Sequence, residues 1–306
     1  MPKLYMLIGI SGSGKSTWAQ NMATYSEREV IVCSSDDLRA ELFGDVNEQG
    51  RNPELFEELH KRVINALIED CIVCYDATNL SSKRRAAFLN LVRTKVADCQ
   101  CEAIIFPVLP KVALERNAAR KRHVPEEVIL RQIRQFEMPQ WYEGWDNIHI
   151  WGQLYNKIET LDMIATLKDL PHDNSKWHAR DVLNHTMAVY DAMCKLKPYD
   201  KVAQFTALLH DIGKPYTKVF HNSRGEPTSE AHYYGHDNVG AYLSLLVNKG
   251  VYGHVEEIDI RVAQLIALHD KTWGNDGKYW DKIKQKLNPA DVKLLETLRD
   301  IDREYN

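Results

Sequence analysis

Residues 9–16 read Gly-Ile-Ser-Gly-Ser-Gly-Lys-Ser. That spacing, two glycines bracketing four residues and then Lys-Ser, is the complete pattern of a phosphate-binding P-loop. An apolar run, Leu4–Ile8, precedes it and a helical pattern begins at Lys15. Few sequences constrain a fold more. The glycines let successive backbone N–H groups curl around phosphate oxygens without Cβ clashes, and the start of the following helix adds partial positive charge. Gly12, Ser13, Gly14, Lys15, Ser16 and Thr17 are therefore the candidate nucleotide-binding residues. Lys15 is placed to neutralise β/γ-phosphate charge, and Ser16 to offer a hydroxyl to Mg²⁺.

The rest of the first half agrees with that start. Val30–Cys33, Ile72–Tyr75, Cys101–Val108 and Ile148–Trp151 read as further strands. Between them, Leu55, Phe56, Leu59, Val63, Ile64, Leu67 and Ile68 fall on one helical face of 53–70, with Asn52 as the expected N-cap and Pro53 in the first turn. This alternation predicts an α/β P-loop NTPase-like parallel sheet with flanking helices over residues 1–155. Residues 154–169 read as a helix and 171–175 as a polar break, so 156–176 is the expected helix and linker. From Ala179 onward the patterns are helical, with Asn222–Ser229 a polar loop, and an all-α second domain is expected over 177–306.

Polar groups at the C-terminal ends of strands face the ligand crevice of an open α/β sheet. Asp36, after the second strand, can accept a hydroxyl proton there or cap the next helix. Asp76, at the end of the third, can organise Mg²⁺ or substrate, or simply shape a turn. Residues 111–134 hold seven Lys+Arg against three Glu. Arg116 and Arg120 are spaced i,i+4, as on one helix face, and would form a lid over transferring phosphates.

The segments Gly9–Ala19, Ser35–Arg39, Ala77–Arg85 and Arg116–Arg120 resemble, in order and at similar spacing, the kinase module of phage-type polynucleotide 5′-kinases. The resemblance implies that Lys15 and Ser16 bind the donor phosphates of ATP or another NTP with Mg²⁺. Asp36 would be general base for a 5′-hydroxyl, Arg39 would contact the acceptor's phosphate, and Arg116 and Arg120 would serve the lid, with Arg120 catalytic. The phage pattern has an acidic residue where this chain has Ala77; here the carboxylate comes one place earlier, at Asp76.

Nine of the twelve histidines lie after residue 170. His185, His210-Asp211 and Asp270 each sit in or at the end of an expected helix, and such groups on facing helices can surround a divalent cation. Together with Gly213-Lys214, Tyr234-Gly235-His236 and Leu268-His269-Asp270, the series resembles the HD phosphohydrolase superfamily, closest to the HD domain of bacterial CCA-adding tRNA nucleotidyltransferases. That resemblance implies His185, His210, Asp211 and Asp270 as metal ligands and Lys214 as a catalytic cation for phosphate charge. His236 would bind substrate or a second metal. His178, His232 and His254 are weaker candidates. The mixed N/O set suits Mn²⁺, Co²⁺, Ni²⁺, Fe²⁺ or Zn²⁺ better than Ca²⁺.

A kinase beside a phosphohydrolase implies a bifunctional RNA end-healing enzyme. It would phosphorylate 5′-OH ends and open 2′,3′-cyclic phosphates, with possible removal of the remaining monoester. RNA ends, a broken tRNA among them, or DNA ends would be substrates, and a separate RNA ligase would seal. The alternatives are a nucleoside or small-molecule kinase fused to an HD nucleotidase, and a non-catalytic NTP-gated binding protein. A net charge of −4 gives no global signal for nucleic acid, so any contact must be local. No apolar run approaches the ~18 residues of a membrane span, and the apolar N-terminus runs into the glycine loop without a cleavage site, so a cytoplasmic location is expected. The six cysteines are read as reduced core residues rather than a zinc site, including Cys71 and Cys74.

Overall fold

A computed structural model describes residues 1–120, 123–152, 158–171, 181–248, 255–273 and 278–305. The chain forms two compact units. One comprises Met1–Gln132 and Pro139–Gly152, the other Ile133–Met138 and Gln153–Asn306.

The first unit is built on five parallel strands: β1 (Lys3–Ile8), β2 (Val30–Ser34), β3 (Ile72–Asp76), β4 (Gln100–Ile105) and β5 (Asn147–Ile150), in the order β2-β3-β1-β4-β5. β3 is buried along its whole length, which is why Ile72–Tyr75 reads as a continuous apolar run and not an alternating one. The flanking helices are α1 (Lys15–Tyr25), α2 (Ser35–Phe43), α3 (Asn52–Ile68), α4 (Ser82–Lys95), α5 (Pro110–Ala118) and α6 (Glu126–Arg134). α3 buries Leu55, Leu59, Val63, Ala66 and Leu67, the expected stripe. Its cap differs from expectation: Arg51 holds the N-cap position and Asn52 is the first helical residue. The Asn52 side chain is engaged elsewhere, its Oδ1 accepting from Arg39 Nη2 at 2.7 Å.

The second unit is helical: α7 (Thr160–Ala165), α8 (Val182–Leu196), α9 (Lys201–Leu209), α10 (Lys214–Thr217), α11 (His236–Ser244), α12 (Val255–His269), α13 (Lys278–Lys284) and α14 (Pro289–Tyr305). α8, α9, α12 and α14 meet in a core that includes Val189, Met193, Ala203, Ala207, Leu265, Leu268, Leu294, Leu295, Leu298 and Ile301. Burying each larger side chain contributes ~1.5–3 kcal/mol, enough to hold the polar cluster described below in a fixed frame.

Two strand pairs interrupt the helices. β6 (Ile158–Glu159) pairs in parallel with β9 (Val247–Asn248), and of the helix expected over 154–169 the described residues form α7, while 154–157 lie outside them. β7 (Val219–His221) pairs antiparallel with β8 (Pro227–His232), and the expected loop Asn222–Ser229 is the turn and the start of the second arm of this hairpin. Asn222 shapes the turn, its Oδ1 accepting from the backbone N–H groups of Arg224 and Glu226. All six cysteines are free thiols. Among the described residues no helix is long and apolar enough to cross a membrane.

Candidate active sites

The P-loop joins the C-terminal end of central β1 to α1. Gly12 and Gly14 adopt left-handed backbone conformations, φ 85° and 100°, that side chains rarely tolerate. A Cβ on Gly12 would also lie 2.6 Å from the Ala113 carbonyl oxygen. Gly9 N–H donates to Thr78 O at 3.1 Å and Ser11 N–H to Gln132 Oε1 at 2.7 Å, fixing the loop's outer edge.

Lys15 is buried and folds back into the loop. Its Nζ donates to Gly9 O and Ile10 O, both at 2.9 Å, and to Ser13 Oγ at 3.3 Å. Burial lowers its pKa to about 8, against the pull of the Asp76 carboxylate. Asp76 ends β3, in register with Leu7 of β1 and Ser34 of β2. Burial pushes its carboxyl above the ordinary range, opposed by Lys15 and by the Ser16 hydroxyl. Ser16 and Thr17 are open to solvent at the start of α1. A lysine, a carboxylate and a hydroxyl thus converge where a triphosphate and its Mg²⁺ need them.

Asp36 lies in the first turn of α2 but does not cap it. Ser34 does, its Oγ accepting from Asp37 N–H at 3.2 Å. The Asp36 carboxylate is 57% exposed and accepts from Arg39 Nη1 at 3.2 Å. Arg39 is buried and held on its other side by Asn52. Arg116 and Arg120 do not share a helix face, because α5 ends at Ala118 and Arg120 sits in the turn beyond it. Asn117 ties that turn to Val124 through two hydrogen bonds of 2.8 and 2.9 Å. Both arginines still reach the loop's surroundings: a Cβ on Gly14 would lie 3.9 Å from Arg116 Nη1, and the charge of Arg120 bears on Lys15.

In the second unit, α8, α9, α11, α12 and α14 bring a buried polar cluster together. His185 Nε2 lies 2.8 Å from Asp302 Oδ1. His210 Nε2 lies 3.4 Å from Asp211 Oδ2 and 3.9 Å from Asp302 Oδ1. Lys214 Nζ donates to Asp211 Oδ2 at 2.9 Å, and His236 Nε2 is 3.5 Å from Asp211 Oδ1. His236 and His269 face each other, Nε2 to Nε2, at 3.2 Å.

The tautomers follow from the partners. Nδ1 of His210, His236 and His269 each meets a backbone carbonyl, of Ala207 (2.8 Å), Tyr233 (2.9 Å) and Ile266 (2.7 Å). A carbonyl only accepts, so these Nδ1 atoms carry protons and the Nε2 atoms are the ones turned inward. Buried His210 Nε2 has no hydrogen-bond partner. Burial lowers the pKa of His210 to about 4, so the ring stays neutral. Asp211 is held well below the usual carboxylate range: burial alone would raise it, but His210, Lys214 and His236 outweigh that. Ionised carboxylates among inward-turned Nε2 atoms are a donor set for a divalent cation. One ligand atom each from His185, His210 and Asp211, or from Asp211, His236 and His269, lies within 4.8 Å of the others. Asp211 belongs to both groups, as a carboxylate between two ions would.

One expected ligand lies elsewhere. The Asp270 side chain is 44% exposed, and its Oδ2 is 3.7 Å from His236 Nδ1, an atom already committed to Tyr233 O. Asp302 of α14 takes the place beside His185 and His210. Burial alone would raise its pKa, but the His185 hydrogen bond and His210 hold it low. Its signal in the sequence is an acid on an apolar stripe, four residues after Leu298 and seven after Leu295. His269 sits inside the quoted Leu268–Asp270 segment. His178 and His254 lie outside the described residues.

Two glycine-dependent contacts hold this cluster. A Cβ on Gly213 would meet His236 O at 2.0 Å and Gly240 N at 2.7 Å, so the turn after His210-Asp211 packs backbone against α11.

Comparison with known proteins agrees with both units. A family model described as AAA domain matches residues 4–139, and one described as HD domain matches residues 182–303. L-seryl-tRNA(Sec) kinase of Methanococcus maripaludis is 24% identical over 174 residues, 55% of this chain and 65% of that protein. The chain therefore spans just under two thirds of the curated relative it matches. A chain in a structure of the Pnkp1/Rnl/Hen1 RNA repair complex aligns at 23% identity and TM-score 0.38, over 44% of this chain and 43% of that one. A gluconokinase from Sinorhizobium meliloti 1021 aligns at 16% identity and TM-score 0.34, over 49% and 83%. The chain thus carries a region that matches an AAA-domain model, followed by one that matches an HD-domain model.

Proposed function

We propose that this chain is a bifunctional RNA end-healing enzyme, phosphorylating 5′-OH ends with an NTP and Mg²⁺ and hydrolysing 2′,3′-cyclic phosphates at a divalent transition-metal centre. The observation that carries the reading is the pairing, on one chain, of a P-loop whose Lys15 feels the charge of Asp36, itself ion-paired to Arg39, with a buried His/Asp cluster. A non-catalytic binder needs neither a base at the sheet's crevice nor such a cluster.

In the kinase, Lys15 would exchange its carbonyl contacts for the β/γ-phosphates, and Ser16 and Asp76 would hold Mg²⁺, which neutralises phosphate charge. Asp36 accepts the proton of the attacking 5′-hydroxyl. Arg39, braced by Asn52, fixes a phosphate of the acceptor, and Arg116 and Arg120 offset charge on the transferring group.

In the HD domain, His185, His210, Asp211 and Asp302 would hold one ion, and His236 and His269 would join Asp211 about a second. A divalent ion there supplies a water of lowered pKa and polarises the phosphate. Lys214, hydrogen-bonded to Asp211, lies beside the cluster and stabilises negative charge on the phosphate oxygens. The Nδ1 anchors on Ala207, Tyr233 and Ile266 keep the rings aimed while substrate exchanges.

RNA ends, including those of a broken tRNA, are the proposed substrates, and sealing falls to a separate RNA ligase. The polyanionic acceptor is favoured over a small alcohol by Arg39 and by exposed Arg116 and Arg120. The test is γ-phosphate transfer to a 5′-OH oligonucleotide compared with a mononucleoside. A clear preference for the oligonucleotide supports the reading. Equal or better transfer to the mononucleoside assigns the domain to small-molecule phosphorylation.

A further inference from the structure

The β7–β8 hairpin leaves a stack of rings in solvent that neither the core nor the metal cluster uses. Val219 pairs across the hairpin with His232 and His221 with Pro227, the register shifting between the two pairs, and His221 and His232 share one neighbour, the ring of Tyr234. Tyr234, just beyond β8, lays its ring nearly parallel to His232, with centroids 5.5 Å apart and planes 8° apart. It also stacks on His221, at 6.1 Å and 26°. Tyr234 remains 47% exposed and His221 is exposed. Phe220, 53% exposed, has the Lys218 Nζ 5.3 Å from its ring centre.

The stack adjoins the cluster through the chain itself. Gly235, in a left-handed conformation, turns the backbone from Tyr234 into α11, whose first residue is His236. Two residues separate the Cα atoms of Tyr234 and His236 by at most ~7 Å. Tyr233, immediately before Tyr234, is buried, with Lys214 Nζ 5.7 Å from its ring centre. Exposed Lys218 and Arg224 add positive charge along the hairpin. Its carboxylates are Glu226, which accepts from Asn222 Nδ2, and half-buried Glu230.

Flat, preassembled, solvent-facing rings beside a phosphate-handling centre suit one class of partner. Bases of single-stranded nucleic acid present a π-face whatever their sequence, and stack on aromatic and imidazole rings. A folded protein surface would call for a broader apolar patch. We infer that Tyr234, with His221 and His232, is a base-stacking subsite for the nucleotides just preceding the RNA's terminal phosphate. This rests on the reading of the HD domain as an RNA 3′-end hydrolase and adds to it: the substrate is a strand, not a mononucleotide.

The experiment compares hydrolysis of a 2′,3′-cyclic mononucleotide with that of a short single-stranded RNA ending in the same group, for the native chain, Tyr234→Ala and Tyr234→Phe. Direct binding of a fluorescent single-stranded RNA to the same proteins is followed by anisotropy. The inference expects a lower KM for the strand than for the mononucleotide, an advantage reduced roughly tenfold in Tyr234→Ala and kept in Tyr234→Phe. RNA affinity should fall in parallel. An abasic site next to the terminal nucleotide should cost the native chain the same advantage and cost Tyr234→Ala nothing further. Equal losses on both substrates would make Tyr234 structural and overturn the inference, as would unchanged strand affinity in Tyr234→Ala. If the native chain hydrolyses neither substrate, the end-healing reading fails, while the anisotropy series still decides the subsite. A self-associated native chain that Tyr234→Ala renders monomeric would assign the patch to a second copy and overturn it.

Discussion

Lys15 carries a charge that the empty loop penalises. Burial holds its pKa at about 8 against the pull of Asp76, and a bound triphosphate raises it. Below about 8 the free and bound forms are both protonated. Between about 8 and the ordinary 10.5 the free form has lost a proton that the complex retains, so binding takes one up and affinity falls as pH rises. Calorimetry in buffers of different ionisation enthalpy should show that uptake at pH 9, and Lys15→Ala should abolish it. The same burial makes Lys15 a cost to the nucleotide-free fold that is fully present below about 8 and is relieved as pH rises toward 10.5. At this scale Asp302 and Asp270 also part company. Asp302→Asn keeps the shape and removes the carboxylate beside His185, so Mn²⁺ affinity measured by calorimetry should fall by at least ~10-fold, the loss expected even for a residue that merely supports a ligand. Asp270→Asn, at the exposed rim, should change it far less. The reverse order would return the fourth position to Asp270.

Whole elements depend on single buried contacts. Arg85 of α4 and Glu143 of the 3₁₀ turn Trp141–Glu143 form an ion pair of 2.8 Å with both side chains 1% exposed. Arg85 also donates to the carbonyls of Asn79 and Leu80, so it fixes the turn that follows Asp76 and meets the P-loop through Thr78. Arg85→Met should cost about 3–5 kcal/mol, because it strands a buried carboxylate. Adding Glu143→Leu should recover much of that in denaturant titrations; a double variant less stable than the single would contradict the account. Gly213→Ala, forced against the His236 carbonyl, should destabilise the HD domain and abolish its hydrolysis. The strands and α3 were legible because buried parallel strands and amphipathic helices write their periodicity into local sequence. The hairpin was not. Its alternation runs through polar residues, Thr228, Glu230 and His232, so nothing apolar marks a face. Asp302 and the end of α5 escaped for related reasons: a long-range contact has no local pattern, and a lid helix shortened to Ala118 keeps its i,i+4 spacing on paper.

At the scale of the molecule, two sites are assembled in separate compact units from non-overlapping residues. The P-loop cluster draws on α1, α2, β3 and α5, and the His/Asp cluster on residues after 181. Lys15→Ala or Asp36→Ala should therefore abolish 5′-phosphorylation and leave cyclic-phosphate hydrolysis, with His210→Ala or Asp211→Ala giving the converse. Loss of both activities from either change, in folded protein, would contradict separable sites. The most direct test of the central claim uses one RNA carrying a 5′-OH and a 2′,3′-cyclic phosphate. It is incubated with the native chain, ATP, Mg²⁺ and Mn²⁺, and both termini are mapped by mass. The account predicts one phosphoryl group gained at the 5′ end and a cyclic phosphate opened by one water at the 3′ end. An RNA recovered with either terminus unaltered would contradict it.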